Sequence, residues 1–156
     1  MRVLVVSDSH GRSSLLYEAV ENEPSAAALV FLGDGLREAE EVALAYPGLR
    51  FFAVCGNCDL GAVHTPAVRE ERLGGVPFLM THGHLFGVKT GVGALKREAL
   101  TRGVQVVLYG HTHIPDVRYE NGLYLLNPGS IAHSGTYGTV DIESGRVRVS
   151  TCVLPS

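Results

Sequence analysis

The sequence has no apolar stretch approaching the roughly 18 residues that a membrane-spanning helix needs. Its apolar start is broken by Asp8 and His10 before a signal-peptide pattern can develop. It has no run or stripe of basic side chains. Thirteen Lys and Arg against sixteen Asp and Glu give a formal charge of −3, so a nucleic-acid-binding surface is not indicated. Cysteine is scarce: three, an odd number, suit a reducing compartment and supply no disulfide framework. Linkers, internal repeats and low-complexity segments are also missing. These absences point to a soluble cytoplasmic protein without a membrane partner. The 156 residues suit one domain, 1–156, large enough to build a core without covalent staples.

What is present is glycine, nineteen of them, most placed where apolar runs end. Val3 to Val6 reads as a short strand buried on both faces. Ser13 or Ser14 begins a helix running to about Asn22, with Leu15, Leu16, Ala19 and Val20 as its buried stripe. Ala27 to Leu32 is a second strand. A helix from about Leu36 to Tyr46 follows, with acids in its early turns as the helix dipole prefers. Arg50 to Cys55 is a third strand, completing a β-α-β-α-β pattern of parallel strands.

The second half turns to hairpins. Ala67 to Leu73 and Val76 to Thr81 flank Gly74-Gly75, and Asp116 to Glu120 and Leu123 to Leu126 flank Asn121-Gly122. About Thr136 to Asp141 and Arg146 to Leu154 flank Glu143-Ser144-Gly145. Between these lie a helix of about Gly93 to Arg102 and a strand Val104 to Tyr109. The expected fold class is α/β: two packed mixed β-sheets flanked by helices, an α-β-β-α sandwich.

Chemistry collects at the strand ends. Asp8 and His10 follow the first strand, Asp34 the second, Asn57 the third, His82 the hairpin strand, and His111 and His113 the strand before the second hairpin. Residues i and i+2 in extended backbone face one side, so each such pair can converge beyond a strand's carboxyl end, where α/β sheets hold their ligands. Oxygen and imidazole donors without thiolate suit Mn, Fe, Ni or Zn better than Ca or Mg.

In order, the D-x-H, G-D, G-N, H and G-H-x-H blocks from Asp8 to His113 resemble those of the calcineurin-like metallophosphoesterases. Cys58-Asp59, His82-Gly83-His84 and Asn127-Pro128-Gly129-Ser130 resemble most the small bacterial and archaeal phosphodiesterase branch. The resemblance implies two divalent ions, manganese foremost, with Ni, Fe or Zn as alternatives. Asp8, His10 and His113 would hold one ion, Asn57, His82 and His111 the other, and Asp34 would bridge them. Two ions, two carboxylates and a bridging hydroxide leave about one net positive charge to attract a phosphate. The implied reaction is hydrolysis of a small phosphate ester, a diester rather than a monoester, by direct attack of that hydroxide.

Asp34, Asn57, Cys58 and Asp59 are the implied catalytic group. The wider family carries histidine at position 58. A thiol there is the weaker donor, which disfavours alkyl monoesters, and Asp59 stands where it would orient an imidazole placed beside it. Arg12 and His84 are candidate substrate contacts, against the alternatives of a surface arginine and a structural cap, and His133 carries the same two readings as His84. The rival function is a metal-binding scaffold or protein-interaction module of the same fold, like a eukaryotic trafficking scaffold whose metal site has decayed. A homo-oligomer is allowed by either.

Two other patterns are set aside. Cys55-x-x-Cys58 lacks a second pair, and Cys152 is remote. Gly87 to Gly91 echoes a phosphate-binding loop, but its glycine–lysine spacing is wrong and no buried strand directly precedes it. His64 reads as a solvated loop residue.

Overall fold

Four consecutive apolar residues, Val3 to Val6, have no exposed surface at all, because their strand lies in the middle of a sheet with both faces covered. The computed structural model describes residues 1–155. In it β1 (Arg2–Val6), β2 (Ala26–Phe31) and β3 (Arg50–Ala53) are parallel neighbours, with β9 (Thr136–Glu143) and β10 (Arg146–Val153) added antiparallel on the other side of β1. The second sheet has the order β4 (Val68–Leu73), β5 (Val76–Thr81), β6 (Val106–Leu108), β8 (Leu123–Asn127), β7 (Asp116–Glu120). Its middle pairs, β5 with β6 and β6 with β8, are parallel.

Alternation along each strand sorts side chains between two environments. Val3 and Val5 of β1, Ala28 and Val30 of β2, and Phe78 and Met80 of β5 meet in the core between the sheets. Leu4, Val6, Leu29 and Phe31 point outward, against Leu16, Ala19 and Val20 of α1 (Ser13–Asn22) and Leu36, Ala39 and Val42 of α2 (Leu36–Ala45). Leu79 and Val107 meet Leu95 and Ala99 of α3 (Gly93–Arg102) on the far side of the second sheet. Each fully buried Val, Leu, Phe or Met among these contributes about 1.5–3 kcal/mol. The result is the α-β-β-α sandwich expected from the alternation of runs and breaks.

Several details differ from expectation, and the third strand, expected to reach Cys55, ends at Ala53. The helix α1 has Arg12 at its cap position with no side-chain cap, and Ser13 is already inside it. The strand expected over Val104 to Tyr109 is shorter, Val106–Leu108, although Gln105 and Tyr109 still donate across it to Pro77 and Leu126. Two 3-10 turns, His84–Phe86 and Val88–Thr90, and a short helix α4 (Ile131–Ser134) were not anticipated.

The register puts all three hairpin turns at one end of the sandwich. Leu73 pairs with Val76, Glu120 with Leu123 and Glu143 with Arg146, so each turn lies beside the amino ends of the parallel strands. The carboxyl ends of β1, β2, β3, β5 and β6 gather at the opposite end. Among the described residues, no helix is long and apolar enough to cross a membrane.

Candidate metal centre

Among the described residues, seven other than glycine have positive φ, and five of them are Asp8, His10, Asp34, His111 and His113. The other two are the hairpin residues Asn121 and Ser144. A left-handed backbone costs an L-residue roughly 1–2 kcal/mol. At the strand ends it turns the chain sharply, so that side chains leaving different strands aim at one point. Backbone bonds lock the turns: Asp8 N–H donates to Gly33 O at 2.9 Å and His10 N–H to Asp34 O at 3.0 Å.

Asp8 is fully buried, and Asp34 is 3% exposed. Among the described residues neither carboxylate pairs with Lys or Arg; their cationic neighbours are all imidazoles. Ser7 Oγ donates to Asp8 at 2.6 Å. His113 Nε2 lies 3.2 Å and His10 Nε2 3.5 Å from Asp8 Oδ1, and these two nitrogens are 3.4 Å apart. On the other side His82 Nε2 is 3.2 Å from Asp34 Oδ2 and 3.1 Å from His111 Nδ1. His82 Nδ1 faces Leu32 O at 2.7 Å, which holds a proton there and turns Nε2 toward Asp34 and His111.

Burial alone would raise the Asp34 carboxyl, but hydrogen bonds from His82 and from the Cys58 N–H outweigh it and hold it far below the usual carboxylate range. Burial would likewise lower His82, yet its hydrogen bond to Asp34 and the Asp8 charge lift it above the ordinary imidazole value. His111 is pushed down by burial and by the neighbouring His82. Buried carboxylates facing imidazole nitrogens at these separations form a donor set that needs cations for balance, and divalent metal ions fit it. The donors fall into overlapping groups: Asp34 with His82 and His111, Asp8 with His10 and Asp34, and His10 with His113 and His133.

Asn57 stands exposed at the rim, with its amide nitrogen 3.6 Å from Cys58 Sγ. Cys58 is also exposed; burial of its sulfur and the Asp34 charge push its thiol upward. A cleft of about 590 Å³ opens beside it, lined by His10, Asp34, Leu36, Arg37, Cys58 and Leu60. Gly56 is required by close approach, since a Cβ there would lie 2.1 Å from Asp34 Oδ1.

Asp59 has a different job from the one expected. Its Oδ2 accepts from Asp34 N–H and Gly56 N–H, both at 2.7 Å, and its Oδ1 from Gly35 N–H at 2.9 Å and Leu36 N–H at 3.0 Å. No lone pair is left for substrate or for an imidazole at position 58. Asp59 holds two ligand-bearing loops and the start of α2 together. Arg12 donates to Ala132 O at 3.2 Å, which ties its loop to α4. The His84 ring flanks His82 and His111, and its buried Nδ1 has no hydrogen-bond partner among the described residues. Glu38, expected only as an acid suited to the helix dipole, accepts from Ser9 Oγ at 2.8 Å and Gly11 N–H at 2.7 Å and so braces the Asp8–His10 loop. Cys55 packs against the helix-side core, and the three cysteines are free.

Fold and site together define a metal-dependent phosphoesterase: paired donor groups at the carboxyl ends of parallel strands, beside a cleft open to substrate. The chain belongs to the calcineurin-like phosphoesterase superfamily, whose domain matches residues 1–145. It is 34% identical over 136 residues to the probable metallophosphoesterase YsnB of Bacillus subtilis, covering 84% of this chain and 75% of that one. It is 29% identical to the phosphodiesterase YfcE of Escherichia coli K12, covering 90% and 88%. A crystal structure of a conserved Streptococcus pneumoniae protein, described as a predicted phosphoesterase, superposes with a TM-score of 0.82 at 29% identity, covering 97% and 88%.

Proposed function

We propose that the protein hydrolyses phosphodiesters with two divalent ions bound at this centre, manganese foremost, in a cytoplasmic setting. The carrying observation is Asp34, which belongs both to the group with His82 and His111 and to the group with Asp8 and His10. A carboxylate shared by two donor groups suits a bridge between two cations. Asp8, His10 and His113 would hold one ion, and Asn57, His82 and His111 the other. When bound, the ions would supply Lewis acidity and an activated water as nucleophile. The chain's own residues set the geometry: Asp59 and Glu38 fix the loops, and the Leu32 carbonyl sets the His82 tautomer. Against the scaffold reading stands the similarity to bacterial proteins named metallophosphoesterase and phosphodiesterase.

Cys58 carries the diester preference. A thiol is a weak proton donor to a basic alkoxide, while an aryl leaving group needs little help. Lack of a matched acid costs about 10²–10⁴-fold.

Metal analysis of the purified protein should find two ions per chain, and chelation should abolish turnover. Aryl diesters should be cleaved faster than alkyl monoesters, and Cys58→His should shift that ratio toward monoesters. An unchanged ratio with both ions retained would remove Cys58 from the leaving-group side. A protein without metal or hydrolysis would favour the scaffold instead.

A further inference from the structure

We propose that His133 is a further donor to the cation held by Asp8, His10 and His113, making that position richer in imidazole than its neighbour. This rests on the phosphoesterase reading above. Two histidines flank the expected ligands, one on each side, and their placement separates them. The His84 ring lies 5.5 Å from His82 and 6.1 Å from His111, centroid to centroid, yet contributes no nitrogen to their group. The His133 ring stacks on His113 at 4.5 Å with 29° between planes and lies 5.8 Å from His10. One nitrogen from each of His10, His113 and His133 falls within 4.8 Å of the other two. Among the described residues the His133 ring has no hydrogen-bond or acidic partner that would give it another task.

The backbone explains why His133 is held there. Ile131 N–H donates to Ser7 O at 3.1 Å and Ala132 N–H to Asp8 O at 3.4 Å. Ser130 Oγ donates to Asp8 O at 2.9 Å and accepts from His133 N–H at 3.1 Å. Arg12 closes the other side through Ala132 O. The short helix α4 is therefore built directly onto the Asp8 loop, and the backbone of His133 is held in register with Asp8.

Three imidazoles favour borderline ions such as Zn²⁺ at this one position, so the manganese preference proposed above applies to its neighbour. The two positions then differ. The His133 side binds more tightly and is more fully occupied by protein donors, and the Asp34–His82–His111 side keeps room for substrate.

The test is Zn²⁺ titration of the full chain, stripped of metal with a chelator and labelled with ¹⁵N-histidine, followed by NMR and calorimetry. The His133 ring nitrogens should shift together with those of His10 and His113. In His133→Ala and His133→Gln the affinity of one ion should fall by at least the roughly 10–100-fold that loss of an outer partner costs. His84→Ala should leave both affinities in place, and matching melting temperatures of the metal-free variants would exclude a folding defect. If His10 and His113 shift while His133 stays at its metal-free position, the proposal is overturned. If no histidine shifts and no Zn²⁺ binds, the phosphoesterase reading itself fails.

Discussion

The two ends of the sandwich use the same backbone conformation for opposite purposes. At the hairpin end, Gly74, Gly75, Asn121, Gly122, Ser144 and Gly145 take positive φ to reverse direction between paired strands. Four of the six are glycine, which adopts that conformation without strain. At the metal end the same conformation is imposed on Asp8, His10, Asp34, His111 and His113, which have a Cβ and pay for it. Glycine there would relieve the backbone and remove the candidate ligand. The hairpin end shows what the turns cost when only folding is at stake; the difference is what the chain gives up for chemistry.

Substitutions at the two ends should therefore separate activity from stability. The largest effect belongs to Asp34. Asp34→Asn should lower turnover by on the order of 10³-fold, because several kcal/mol of charge stabilisation goes with the ions. Its circular dichroism spectrum should stay that of the parent. Retention of most activity with two ions per chain would show that Asp34 is no bridge.

A second test uses the same mutation at both ends. Gly56→Ala places a methyl group against the Asp34 carboxylate, so metal affinity should drop about 10–100-fold, the range for lost ligand orientation. Calorimetric titration with Mn²⁺ measures it, and an unchanged isotherm would mean that the loop relaxes freely. Gly122→Ala, at the hairpin end, meets nothing within 4 Å and pays only for its φ of 76°. That change should cost about 1–2 kcal/mol of stability. Thermal melts should show the loss while kcat and metal content stay at parental values. A fall in activity from Gly122→Ala would break the separation between the ends.

Much of this was written in the sequence. Apolar runs ending in Asp8, Asp34, His82 and His111 marked both the strands and the site, and Gly74-Gly75 and Asn121-Gly122 marked two hairpins. The remainder depended on which segments meet. Asp59 looked like a companion to Cys58 because they are adjacent, but its four N–H donors come from Gly56 and from three residues about 24 positions earlier. Glu38 satisfied the helix dipole in sequence and concealed its bonds to Ser9 and Gly11. The helix α4 is four residues long, too short to show a period, so nothing distinguished His133 from His84 until their rings were placed.

The candidate ligands come from both sheets: Asp8, His10 and Asp34 follow strands of the first, and His82, His111 and His113 follow strands of the second. The first set alone forms the Asp8–His10–Asp34 donor group, but the other donor groups need side chains from the rest of the chain. Bound metal would thus act as a clasp between the two sheets. The first sheet is itself finished last, because β1 pairs with β9, which follows every strand of the second sheet in the chain. Loading of the complete donor set would then report that the two sheets have docked.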